Sequence, residues 1–341
     1  VTHDGGESWT EIVNGIPAGT ITNTVKEDPE RPGLLFAGTE RQVWFSIDDG
    51  AHWQSLRLNM PATSVRDLVI KDNDLVVGTH GRGFWILDDI TPLRQIDAST
   101  ASRPAELFAP GDAWRFRWNR WTDTPLPPDE PAGKNPPDGA ILYYWLARAP
   151  STPVTLEILD GEGRIARRFS SADAPEPMLE GQQVPPRWVR PPQILSAQAG
   201  MHRFVWDLRY ERPKGVREGY PISAIDGYTP VEPRGPVALP GDYVVQLTVD
   251  GQIYTHGVHV EMDPRVETSP QALQQQFELS MRIKEVLDRR DESPSPRLRP
   301  MFAELESLYR ILQESDQAPG LGTVALVNQR LLAAERLLPP R

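Results

Sequence analysis

Two octapeptides in the first sixth of the chain nearly repeat each other: 2-THDGGESW-9 and 46-SIDDGAHW-53. Each places an aspartate two positions before a glycine and a tryptophan three positions after it. An aspartate at the start of a tight turn accepts hydrogen bonds from nearby backbone N–H groups. The glycine supplies a left-handed position at no steric cost. The pattern therefore predicts a hairpin turn in each copy, with Trp9 and Trp53 folded over the turn and anchored on a sheet.

The surroundings repeat as well. The stretch 34-LLFAGTERQVWFSIDDGAHW-53 is followed by a weaker copy, 75-LVVGTHGRGFWILDDITPL-93, in which Gly78-Thr79 answers Gly38-Thr39 and Trp85 answers Trp44. The third copy keeps Asp88-Asp89 but has lost the glycine and the tryptophan. Periods near 40 residues, each holding several short strands, fit the four-stranded blade of a β-propeller. The chain opens inside this pattern, which predicts further blades upstream and leaves any export signal outside these residues. Residues 1–95 are assigned to terminal blades.

Composition agrees with a turn-rich, mainly β protein: 35 prolines, 26 glycines and ten tryptophans, residue types suited to turns and half-buried sheet faces. Residues 96–139 read as a proline-rich connecting segment. Strand signals return over 140–147, 153–160, 164–170, 200–210 and 241–262, the last folding back at Asp250-Gly251. Short strands with long excursions predict an immunoglobulin-like β-sandwich over 140–265. The apolar period then changes to that of helices, so 266–341 is assigned to a C-terminal helical region. Ser269 is placed to cap its first helix and Pro270 to open it.

The full pattern S/T-x-D-x-G-x-x-W resembles the Asp-box, or BNR repeat, of sialidase-like and sortilin-like propellers. With 77-VGTHGRGFWILDD-89, 138-DGAILYYWL-146, 203-RFVWDLRY-210 and 240-PGDYVVQLTVDG-251, the chain resembles the C-terminal portion of large bacterial exported BNR-repeat proteins labelled glycosyl hydrolase. That resemblance implies a partial propeller, an immunoglobulin-like sandwich and a small helical segment. It implies an extracellular, periplasmic or cell-surface place, and the missing blades as partner. The implied function of the intact protein is hydrolysis or binding of carbohydrate, with no independent catalysis in this portion. The alternative is a non-catalytic sortilin-like scaffold that binds peptides or proteins. In such families the box is a structural hairpin, which makes Thr2, Asp4, Gly6, Trp9, Ser46, Asp48, Gly50 and Trp53 architectural residues.

A net charge of −11 argues against non-specific nucleic-acid binding, and no apolar run reaches the length of a membrane span. The chain has no cysteine, which excludes disulfides, thiol catalysis and thiolate zinc sites. No P-loop, dinucleotide fingerprint or nucleophile elbow is present, and no cofactor is expected. His256 and His259, three apart in an expected strand, fall on opposite faces and make no metal site. The ligand-binding candidates are Glu40, Arg41, His80 and Arg82, which follow equivalent Gly-Thr turns. Arg41 and Arg82 could clamp a carboxylate or phosphate. The aromatic run Trp114, Phe116, Trp118 and Trp121 is assigned to sealing one domain against the next.

Overall fold

The computed structural model describes residues 1–117, 133–181, 184–221, 227–292 and 298–339. They fall into two compact units, one of residues 1–111 with 143–147, the other of residues 112–142 with 148–341.

In the first unit, β1 (Thr22–Glu27), β2 (Leu35–Thr39), β3 (Val43–Ser46) and β4 (Gln54–Ser55) run as an antiparallel meander. A second meander holds β5 (Val65–Lys71), β6 (Asp74–Thr79) and β7 (Phe84–Leu87). The two share one core, in which Leu34, Phe36, Val65, Leu68, Leu75 and Ile90 are excluded from solvent. At Gly38 a Cβ would lie 2.6 Å from the Val65 side chain, so this close packing of β2 against β5 requires a residue without one. The helix α1 (Thr91–Gln95) is tied down by Arg94, whose Nε lies 3.0 Å from the buried Asp28 carboxylate. Strand β8 (Ala105–Leu107) pairs with Tyr144–Leu146 of β10 (Ala140–Leu146).

The second unit centres on a five-stranded sheet of β9 (Ala113–Arg115), β11 (Thr155–Leu159), β12 (Ile165–Ser170), β14 (Gly241–Val249) and β15 (Gln252–Met262), in the order β12-β11-β14-β15-β9. All its pairings are antiparallel except that of β9 with β15. Tyr243, Val245, Leu247 and Val249 alternate inward along β14, giving the buried face expected of period-two patterning. Strand β13 (Gly200–Trp206) belongs to the remaining sheet, ordered β13-β10-β8. Helices α2 (Pro270–Asp288), α3 (Leu298–Glu314) and α4 (Leu321–Glu335) bury a common stripe that includes Ile283, Leu305, Tyr309, Val327 and Leu331. Phe277 of α2 meets the Tyr210 ring at 5.0 Å.

This arrangement corrects the expected fold class. Among the described residues the fold is mixed α/β, with four separate sheets and four helices, and neither a closed propeller nor an immunoglobulin-like sandwich is seen. The two meanders share a core with each other, and among the described residues the sheets do not close into a ring. The sandwich reading fails because β9 adds in parallel to its sheet and β10 is divided between the two units. Local periodicity locates strands and does not say which sheet each one joins.

Candidate functional site

Both octapeptides form the same hydrogen-bonded turn. In the first, Thr2 Oγ1 donates to Asp4 (2.8 Å) and accepts from the Gly6 N–H (2.8 Å), while Asp4 also accepts from the Ser8 N–H (3.0 Å). In the second, Ser46 Oγ donates to Asp48 (2.8 Å) and accepts from the Gly50 N–H (2.9 Å), and Asp48 accepts from the His52 N–H (2.9 Å). Gly6 and Gly50 both adopt positive φ, 98° and 85°. The tryptophans differ. Trp53 is buried and its indole donates to the Ile12 carbonyl at 2.7 Å, whereas Trp9 is 74 % exposed. Trp9 folds over its own turn, its indole donating to the Gly6 carbonyl at 3.2 Å, but its ring stays exposed.

Glu40, Arg41, His80 and Arg82 lie at the ends of β2 and β6. The Asn23 side chain donates to Glu40 at 3.1 Å, and Arg66 lies 3.4 Å from it. Hydrogen bonds from Asn23 and Ser64 hold the Glu40 carboxyl below its ordinary range, with smaller contributions from Arg66 and His80. Arg41, His80 and Arg82 are exposed. The backbones of Arg41 and His80 are joined through Thr63, and Arg82 accepts the Trp85 indole N–H on its carbonyl. His259 Nδ1 donates to an Asp242 carboxylate oxygen at 2.6 Å, and no cluster of metal-ligating side chains occurs among the described residues. Of the aromatic run, Trp114 is 47 % exposed, and Trp118 and Trp121 lie outside the described residues.

The residue following Trp114 begins a different site. A cavity of about 40 Å³ within the second unit is lined by Arg115, Arg117, Arg190, Arg209 and Arg234, with Asp138, Asp207 and Asp316. Each arginine reaches it from a separate segment or strand position. Arg115 ends β9 and is only 3 % exposed; it donates to the Ala238 carbonyl (2.7 Å) and to Asp316 (2.5 Å). Arg117 donates to the Gln313 carbonyl (2.7 Å) and to the same Asp316 oxygen (2.8 Å). Arg190 pairs with Asp138 at 3.0 Å, and Arg234 with Glu232 at 3.4 Å.

Arg209 is the exception. It is buried, and its guanidinium donates to the Gly235 carbonyl (2.8 Å) and to Gln313 Oε1 (3.2 Å). Both acceptors are neutral, and none of the ion pairs among the described residues includes it. Burial first, then repulsion from Arg234 and Arg117, push its pKa down to about 9, against a partial offset by Asp207 and Glu232. It stays charged at neutral pH. For Asp316, burial would raise the carboxyl, but Arg117 and Arg115 outweigh it and hold the pKa below its ordinary value. Arg115 is nevertheless lowered, because burial exceeds its share of that acid. One carboxylate divided over two guanidiniums accounts for both directions.

Sequence reasoning read 114-WRFRW-118 for its aromatics and passed over the alternating arginines. The signal was present in part: alternation along the strand that ends at Arg115 puts this arginine on the face opposite Trp114. The partner Asp316 stands 201 positions away from Arg115, and nothing local points to it.

No family model matches the chain, and no curated protein matches it. Among solved structures, the extracellular domain of a one component system from B. thetaiotaomicron aligns over 72 % of this chain at 11 % identity with a TM-score of 0.17. The extracellular domain of a hybrid two component system from the same organism aligns over 72 % at 10 % identity with a TM-score of 0.18. This chain spans 26 % of either of those chains. Values this low carry no argument for a shared fold.

The resemblance to exported BNR-repeat proteins is accordingly corrected, and with it the glycosyl-hydrolase function and the upstream blades as partner. The physical reason lies in the octapeptide. Its Thr or Ser, Asp and Gly all serve one self-contained turn, so the pattern marks a local geometry and not a family. No helix among the described residues is long and apolar enough to cross a membrane.

Proposed function

We propose that this chain is a non-catalytic binding module, and that the arginine-lined cavity of its second unit recognises an anionic group. The observation that carries this reading is Arg209, a buried cation with neutral acceptors and no acid in contact. Burying an ion without a counter-charge is costly, and that cost is offset when an anion enters. Strongly perturbed charges gathered in a cavity are a physical mark of a candidate functional site. The setting adds selectivity: a molecule with net charge −11 concentrates positive charge at one place.

Binding of N but not U raises the apparent stability with ligand concentration. Replacing chloride by acetate or phosphate at constant ionic strength should therefore raise the melting temperature of the full chain saturably. The same substitution should leave the Arg209→Met chain unmoved. A melting temperature indifferent to the anion, in the parent chain, refutes the reading.

A further inference from the structure

The charges around the cavity specify more than an anion. Arg115 and Arg117 share Asp316; Arg190 pairs with Asp138, and Arg234 with Glu232. Asp207 lines the cavity and acts on Arg209 through space. Among the described residues five guanidiniums thus stand with four carboxylates, an excess of one positive charge spread over Arg115, Arg117 and Arg209. A monovalent anion neutralises it, whereas a doubly charged phosphate would leave an excess negative charge in a poorly solvated place. About 40 Å³ admits a few waters or one small polar group. Leu208, Pro230 and Val237 also line the cavity, giving the carbon next to the charged group an apolar wall.

We infer that the cavity takes one carboxylate, of a small acid or of a peptide C-terminus, forked by Arg209 and flanked by Arg115 and Arg117. A guanidinium matches the two oxygens of a carboxylate in one plane. The inference rests on the binding reading above and narrows it to one ligand chemistry.

Calorimetric titration of the full chain with N-acetyl-glycyl-glycine, its C-terminal amide, acetate and inorganic phosphate tests it. The free acid should bind with one-to-one stoichiometry, and the amide about tenfold more weakly or not at all, the loss expected for one charge-assisted contact. Arg209→Met should lose binding of the free acid to the same degree. Should that variant fold poorly, Arg117→Gln, nearer solvent, carries the same expectation. Acetate binding as tightly as the dipeptide supports a small acid as ligand; tighter binding of the dipeptide supports a C-terminus. Phosphate bound in preference to the acid overturns the carboxylate inference and leaves the anion reading standing. Binding of none of these overturns both.

Discussion

Asp316 holds two guanidiniums at once, Arg115 at 2.5 Å and Arg117 at 2.8 Å. Its replacement by asparagine leaves both cations without their shared acid. Removing one partner from a buried ion pair typically costs about 3–5 kcal/mol, so Asp316→Asn should lower the denaturant midpoint by a matching amount. The pH dependence follows from the sign of the shift. The folded pKa of Asp316 lies below the ordinary 3.8, so its stabilisation is fully present above that value and is lost as pH falls through the folded pKa. The asparagine variant should therefore lose less stability than the parent below about pH 4; equal acid sensitivity of the two would contradict the pairing. Residue-scale chemistry was legible in the sequence where it was local. Ser269 accepts from the Ala272 N–H and Pro270 opens α2, and the aspartate–glycine turns form from side chains within four positions of each other. Arg115 was not legible, since polarity alone sends an arginine outward. Here Trp114 faces solvent and the arginine is buried, because Ala238 and Asp316 supply its acceptors.

At the scale of elements, the helical stretch over 266–341 illustrates how far apolar spacing reaches. The period of 3.6 marks Leu273, Phe277, Leu305, Leu308 and Leu312, all of which are buried in α2 and α3. It leaves open which helix faces which. The positions that settle that question meet in one cluster of α2, α3 and α4, and Gln313 connects α3 to the cavity by accepting from Arg209 and Val237 and donating to Ser280. Leu305 is completely excluded from solvent, so Leu305→Ala should cost about 2–5 kcal/mol in chemical denaturation. Ser269→Ala removes a single exposed cap and should cost about 0.5–1 kcal/mol. Similar losses for the two variants would show that the bundle does not pack around Leu305. The β14–β15 hairpin was legible for the same local reason as the caps: Asp250 and Gly251 both take positive φ at the turn, 48° and 80°. Sheet membership was not, and the parallel addition of β9 beside β15 has no signature in either strand's own residues.

For the whole molecule, the repeated octapeptide proved a poor guide to assembly and to function. It encodes a turn that completes itself within eight residues, whereas closure of a ring or pairing of two sheets depends on residues far apart in sequence. The site has the same character: its five arginines and three aspartates are scattered from Arg115 to Asp316, and only folding brings them together. A net charge of −11 describes the chain as a whole and conceals a local excess of positive charge. The most direct test of that excess follows the arginine side-chain Nε–H resonances of the full chain, labelled with ¹⁵N-arginine, during titration with N-acetyl-glycyl-glycine. The account predicts that Arg209, Arg115 and Arg117 shift together and saturate at one equivalent, with exposed arginines such as Arg41 and Arg82 unmoved. Shifts spread evenly over exposed arginines, with those of the cavity unchanged, would contradict it.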